Sequence, residues 1–154
     1  MKILVTGGGG YIGTHTLTLL TADYSEIAII DNFCNSKKTN LLSLGKKIKK
    51  KFKIFTGDIG DADFLNLTFQ SFLPDLVLHL AGFKSASKSI VDPLGYYRNN
   101  VSASITLLTI MSKFGVERII FSSSATVYGI PHYLPLDEKH SVSPISPYGS
   151  SKAF

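Results

Sequence analysis

The sequence predicts a doubly wound α/β fold, a parallel sheet with helices on both faces. Three observations carry that prediction. Short apolar runs without polar alternation recur along the chain, as in strands buried on both sides. Helical patterns lie between them, joined by short connections. A glycine-rich turn, Gly7 to Gly10, follows the first apolar run and opens the first helical stretch.

Taken in order, Ile3-Leu4-Val5 is the first strand and Tyr11 to Thr21 the first helix. Ile27 to Ile30 makes the second strand, and a helix is expected from Lys38 to Lys51. Phe52 to Thr56 is the third strand, followed by a helix from Ala62 to Phe72 that Pro74 stops. Leu76 to Leu80 forms the fourth strand. One long helix, Leu94 to Lys113, then runs to a C-terminal cap at Gly115 before the fifth strand, Arg118 to Phe121. Beyond Ser123, the prolines at 131, 135 and 144 predict a long loop of functional kind. Pro147 suits the first turn of a final short helix that reaches Phe154.

A length of 154 residues suits one fold unit, and 44% hydrophobic with 18% charged residues excludes a disordered chain. No apolar run is long enough to span a membrane, and glycine arrives too soon after Met1 for a signal peptide. Cys34, the single cysteine, has no partner for a disulfide, which suits a reducing compartment; the cytoplasm is expected. The net charge of +5 is concentrated in Lys46, Lys47, Lys49, Lys50, Lys51 and Lys53. These read as the solvated end of a helix, where cations also favour the dipole. Without aromatic interleaving or a second basic segment, neither a nucleic-acid partner nor a membrane is expected. No metal is expected either.

Gly7, Gly10 and Gly13 occupy the strand-to-helix turn, where glycine lets backbone N–H groups approach a pyrophosphate at a helix N-terminus, and glycine at position 13 would let the helix pack close to the sheet. Asp31 ends the second strand about 20 residues on, where a carboxylate would take the adenine ribose hydroxyls and repel a 2′-phosphate. That favours NAD over NADP, despite Lys37 and Lys38 nearby. Asp58 and Ile59 fall where an adenine would lie, although Asp58 could equally cap the following helix. After the fourth strand, Ala81 and Gly82 are small enough for close approach of a cofactor, with Lys84 either extending toward it or simply exposed. His79 reads as a core histidine and Cys34 as incidental. Tyr148 and Lys152, four apart on the last helix, share a face, so the ammonium can stabilise a phenolate poised for proton transfer.

Several segments, in order from one end of the chain to the other, resemble the UDP-glucose 4-epimerases of the extended short-chain dehydrogenase/reductase family. They are Thr6 to His15, Asp31 to Ser36, Gly57 to Ile59, His79 to Lys84, Tyr97 to Val101, Phe121 to Gly129 and Ser146 to Lys152. The resemblance implies tightly held NAD and interconversion of UDP-glucose and UDP-galactose by transient oxidation at sugar carbon 4. It implies Tyr148 as proton acceptor, Lys152 as its electrostatic support and cofactor ligand, and Ser124 bonding the reacting hydroxyl. Tyr11, Ile12, Asn32, Asn35, Ser36 and Ser122 would join the cofactor pocket. Lys84 and Asn99 would contact cofactor and sugar nucleotide. Related 4,6-dehydratases carry an Asp-Glu pair after the serine or threonine, where this chain has Ala125-Thr126.

By the same resemblance, this is an incomplete dinucleotide-binding domain, residues 1–154, without the substrate domain of complete members. The expectation is an epimerase portion that depends on the missing half, with full-length members forming homodimers and a carboxy-terminal fragment as possible complement. The alternatives are a non-catalytic NAD-binding remnant and a related nucleotide-sugar epimerase.

Overall fold

The structure, a computed structural model, describes residues 1–23 and 26–154. Five strands form one all-parallel sheet: β1 (Lys2–Thr6), β2 (Glu26–Asp31), β3 (Lys53–Thr56), β4 (Leu76–His79) and β5 (Ile119–Phe121). Their spatial order is β3-β2-β1-β4-β5. The order reverses direction beside β1, which pairs Ile3 with both Ile27 and Leu76. Such a switch point opens a crevice at the carboxyl ends of the strands.

Two compact units make up the chain, Met1–Ala81 with Thr106–Ser122, and Gly82–Ile105 with Ser123–Phe154. The first unit holds the sheet. Strand side chains alternate, and Ile3, Val5, Ile27, Ile29, Leu76 and Leu78 pack with Leu17 of α1 (Tyr11–Asp23) and Leu41 of α2 (Lys38–Lys47). Residues between them in the strands, Leu4, Ala28, Ile30 and Val77, are just as buried, so the sheet is covered on both faces. Phe69 of α3 (Ala62–Ser71) meets Phe114, and Lys113 reaches Asn66, which joins α3 to the end of α6 (Ala103–Lys113). On the edge strand β5, Ile120 is 55% and Phe121 40% exposed.

In the second unit, α7 (Pro147–Ala153) lies against α4 (Ala86–Val91), α5 (Pro93–Tyr97) and a 3₁₀ turn at Ala125–Tyr128. Ser146 caps α7 by accepting from the Gly149 N–H, with Pro147 in the first turn as expected.

Three local expectations are corrected. The helix expected to reach Lys51 stops at Lys47, because Lys49 turns to φ 54° and the Lys50 N–H bonds back to the Gly45 carbonyl. That reversal needs Gly45, whose Cβ would lie 2.7 Å from the Lys50 oxygen. The long helix expected from Leu94 is interrupted by a π-helical turn, Arg98–Ser102, between α5 and α6. Helix α4 was not expected at all; Ser85 caps its start and Asp92 ends it and caps α5. The caps expected at Gly115 and the stop before Pro74 are as anticipated, with Gly115 at φ 68°.

Candidate functional site

The candidate residues fall into two groups, one in each unit. In the first unit, β1 delivers the chain into a turn that only glycine permits. Gly7 has φ 70°, and a Cβ there would lie 2.7 Å from the Ala81 nitrogen. A Cβ on Gly13 would meet the Gly8 Cα at 2.6 Å. Gly10 differs: its Cβ would meet only the Gly7 carbonyl oxygen, at 3.4 Å. Gly7 and Gly13 are therefore small for the sake of the protein's own packing, whereas a Cβ on Gly10 would make only an ordinary contact. Tyr11 and Ile12, in the first turn of α1, are exposed beside it.

Asp31 is buried at the end of β2 and organises this turn. Its Oδ2 accepts the Gly9 N–H at 2.8 Å, while Oδ1 accepts from the Phe33 N–H at 2.8 Å and the Ser36 hydroxyl at 3.1 Å. A carboxylate offers about four lone-pair sites. Three are used, and one on Oδ2 is left for a further donor. Gly9, which the sequence reading passed over, is packed against this carboxylate; the unbroken glycine run was its signal. Asn32 donates to Asp58 Oδ2 at 2.8 Å, and the Gly60 N–H donates to Asp58 Oδ1 at 2.7 Å. Asp58 does not cap α3; Asp61 does, accepting from the Phe64 N–H. Ile59 is buried, Asn35 exposed, and Ser122 half-buried with its N–H on the His79 carbonyl. His79 is a core residue as read, its Nδ1 2.6 Å from the Thr6 hydroxyl.

A dinucleotide fits this donor set. Room for a Cβ on a glycine at a helix start, exposed first-turn residues and one spare carboxylate lone pair are what pyrophosphate and ribose hydroxyls require. Because Asp31 also holds the turn, Asp31→Ala should cost stability, about 1–3 kcal/mol for each donor that stays buried without an acceptor. Asp31→Asn keeps an acceptor oxygen and the shape, and is the cleaner test. We expect it to weaken NAD binding and to narrow the preference over NADP in calorimetric titrations; unchanged affinity would remove Asp31 from ribose binding.

In the second unit, Tyr148 and Lys152 are both buried on α7. The Lys152 ammonium runs over Gly82, 3.0 Å from where a Cβ would sit there, with Asn100 Oδ1 also within 3.2 Å of that point. Burial pushes the Lys152 ammonium below the usual lysine range. The Tyr148 ring meets Tyr96 edge-on at 6.3 Å, and Tyr96 meets Phe83 at 5.4 Å. Lys84 is exposed, and Asn99 is half-buried, donating to Asn100 Oδ1 at 2.9 Å.

Ser124 and its neighbours sit on the other segment of this unit. Ser123 donates to the Lys152 carbonyl at 2.9 Å, which ties the serine run to α7. Ser124 Oγ accepts both the Thr126 N–H and the Thr126 hydroxyl, the latter at 2.9 Å. With both acceptor sites taken, the Ser124 proton is left to donate elsewhere.

Asn100, given no role of its own within Tyr97 to Val101, joins these pieces. Its amide nitrogen donates to the Phe83 carbonyl and to Ser151 Oγ, and its oxygen accepts the Phe83 N–H at 2.8 Å. Nothing in the sequence sets it apart from Asn99; only the π-helical turn that carries it inward does so.

The buried lysine permits a test on stability alone. Its ammonium is disfavoured in the folded state, so the folded chain releases that proton before the unfolded chain does. Between the lowered folded value and about 10.4 the unfolded state binds more protons, and stability rises with pH. Below that window the full penalty stands. Lys152→Met should therefore raise Tm at pH 7, by about 2–4 °C per kcal/mol relieved, with the gain shrinking as pH climbs. A lower Tm at pH 7 would show that the lysine's contacts outweigh its desolvation.

Among the described residues no cluster could hold a metal ion, and no helix is long and apolar enough to cross a membrane.

Comparison with known proteins adds an independent line. The family model described as GDP-mannose 4,6 dehydratase matches residues 4–154. A UDP-glucose 4-epimerase of Yersinia enterocolitica is 45% identical over 155 residues, spanning 100% of this chain and 46% of its own length. Another, from Bacillus subtilis, is 39% identical over 99% of this chain and 45% of its own length. The crystal structure of the Bifidobacterium longum UDP-glucose 4-epimerase in complex with NAD⁺ and UDP superposes with a TM-score of 0.95 at 39% identity, over 99% of this chain and 46% of that one. The Stenotrophomonas maltophila enzyme, with bound NAD and formylated UDP-arabinopyranose, gives a TM-score of 0.95 at 38% identity, again over 99% of this chain and 46% of the other. The chain thus spans somewhat under half the length of these relatives.

Proposed function

Since the chain belongs to the extended short-chain dehydrogenase/reductase family of nucleotide-sugar epimerases and dehydratases, we propose that it is the dinucleotide-binding part of a UDP-glucose 4-epimerase. The observation that carries the reading is the frame around α7. Tyr148 and Lys152 are buried together on one helix, in the same unit as a Ser124 hydroxyl whose proton is free to donate.

When bound, NAD would supply a reversible hydride store for the sugar's carbon 4. The residues that would hold its pyrophosphate are Gly7, Gly10, Gly13, Tyr11 and Ile12. Asp31, Asn32, Asn35 and Ser36 would hold the adenosine ribose, and Asp58 and Ile59 the adenine. Ala81, Gly82, Ser122, Lys84, Asn99 and Lys152 would complete the cofactor set.

The chemistry left to the chain is proton movement. The Tyr148 phenolate accepts the proton of the sugar 4-hydroxyl and returns it once the configuration has inverted. An ammonium penalised by burial gains most from an anion close by, so Lys152 favours that phenolate over the neutral phenol. Ser124 donates to the reacting oxygen and keeps it in line with Tyr148. Lys84 and Asn99 would contact the sugar nucleotide. Ala125 and Thr126 offer no carboxyl group for the elimination that a dehydratase performs, which supports an epimerase within this family.

A coupled assay of UDP-galactose conversion tests the reading, run on the 154 residues alone and on a chain extended to its relatives' length. Turnover is expected only from the extended chain, which would act in the cytoplasm as a homodimer or as two complementing fragments. Turnover of UDP-N-acetylglucosamine in preference to UDP-galactose would redirect the proposal to another nucleotide-sugar epimerase. An extended chain that binds NAD yet is inert on both would leave a non-catalytic NAD-binding module, and one with no affinity for NAD would overturn that as well.

A further inference from the structure

Just beyond Asp31 stands a residue in a backbone conformation that its own side chain resists. Phe33 has φ 57°, in the left-handed region that favours glycine. Among the described residues Lys49 alone shares that sign without being glycine, and Lys49 follows the end of α2, where a left-handed turn is routine. Phe33 ends no helix, so its strain is held in place by other means.

Two attachments hold it. The half-buried ring packs against the apolar cluster on the sheet, and its Cε1 lies 3.0 Å from where a Cβ on Gly9 would sit, a space that only glycine leaves open. The Phe33 N–H donates to Asp31 Oδ1 at 2.8 Å. The Gly9 N–H grips the other oxygen, Oδ2, at 2.8 Å, and the Ser36 hydroxyl adds a second bond to Oδ1 at 3.1 Å. With Oδ1 filled twice, the spare lone pair lies on Oδ2 and suits a hydroxyl donor. A 2′-phosphate, ionised at neutral pH, offers no such donor and carries charge of the same sign. It enters only if the carboxylate swings aside. Cations stand ready for it in that event: Lys37 and Lys38 are exposed in the same loop, Lys38 with its ammonium on the Thr56 hydroxyl at 3.2 Å.

We propose that Phe33 is a positioning residue for cofactor choice: its seated ring holds a strained backbone whose N–H locks the Asp31 carboxylate, so that the site takes a dinucleotide with a free 2′-hydroxyl and refuses one bearing a 2′-phosphate. A carboxylate alone does not secure that choice, because an unheld one rotates away from an incoming anion. Loss of the ring lets residue 33 relax to negative φ, which carries its N–H off Oδ1 and frees the carboxylate to turn. The inference rests on the dinucleotide-binding reading of the Gly7 to Gly13 turn, and not on epimerase activity.

Calorimetric titration of the native chain, Phe33→Ala and Phe33→Gly with NAD and with NADP supplies the test. The native chain should prefer NAD. In Phe33→Ala that preference should narrow by about tenfold, the worth of one hydrogen bond to a charged group. In Phe33→Gly, whose backbone accepts the left-handed conformation without resistance, the N–H stays on Oδ1 and the preference should narrow less. A fault in packing alone weakens both dinucleotides alike, so losses that leave the ratio unchanged would overturn the proposal and spare the cofactor site. A ratio in Phe33→Gly no closer to native than in Phe33→Ala would refute the N–H as the lock. A native chain that binds neither dinucleotide, or prefers NADP, would overturn the cofactor reading and the proposal together. Denaturant unfolding checks the strain separately. Phe33→Gly should unfold at a higher midpoint than Phe33→Ala, the reverse of the order at ordinary backbone positions. Alanine as the more stable variant would show that residue 33 is not held in the left-handed region, and the lock would fall with it.

Discussion

Gly7→Ala should cost about 3 kcal/mol or more of stability, while Gly10→Ala, three residues along the same turn, should cost almost none. The difference lies in what each glycine faces. At φ 70° a Cβ on Gly7 is disfavoured by about 1–2 kcal/mol on its own account. It would also press on the backbone of Leu80 and Ala81, at 2.7 to 2.9 Å, and backbone at the end of a central strand has nowhere to go. Relief would require parting β1 from β4 where the Ala81 N–H bonds Thr6 and the Leu80 N–H bonds the Thr6 carbonyl. Gly10 meets only a carbonyl oxygen at an ordinary contact distance. Its alanine variant should unfold at the native denaturant midpoint and yet bind NAD at least about tenfold more weakly, because the added methyl would stand where, on the proposed reading, a pyrophosphate approaches the backbone. A Gly7→Ala chain of native stability would show that the turn is not strained as described. Native NAD affinity in Gly10→Ala would exclude close approach at that point.

The sheet and the glycine turn were legible in the sequence because their causes are local. A strand buried on both faces must be apolar throughout, so Leu76 to Leu80 reads as a strand without any knowledge of its neighbours, and the observed one is Leu76–His79. The spacing from the turn to Asp31 is set by one strand-helix-strand unit and survives in the linear order. What could not be read depends on partners distant in sequence. Asn100 looks like any helical asparagine until Phe83 and Ser151 are placed around it. The π-helical turn that brings it inward leaves no compositional mark. Helix α4 is short, and Ile90 and Val91 face solvent, so its apolar periodicity is absent and only the caps at Ser85 and Asp92 announce it. The second unit as a whole was invisible for a related reason: it is assembled from two segments on either side of β5. Thr126 read merely as a residue that is not acidic, whereas its two bonds to Ser124 decide where that hydroxyl's proton can go.

Tyr148→Phe should lower the epimerase turnover of a chain of its relatives' length by about 10²–10⁴-fold, the usual contribution of a positioned proton acceptor. Fold and cofactor affinity should be almost untouched. The ring is 8% exposed and held by the edge-on contact with Tyr96, both of which phenylalanine preserves. No hydrogen bond from the Tyr148 hydroxyl appears among those that frame α7; these run through Ser146, Ser151 and the Lys152 carbonyl. The loss should therefore fall on kcat, with KM for the sugar nucleotide little changed. Lys152 is argued to act through the same phenolate, so removing both groups should cost much less than the sum of the single losses. Additive losses in Tyr148→Phe/Lys152→Met would separate the lysine from the tyrosine and assign it to cofactor binding alone. Turnover within about threefold of the native rate in Tyr148→Phe would be far below the usual contribution of a positioned acid or base, and would move proton transfer to another group, of which Ser124 is the nearest candidate in chemistry.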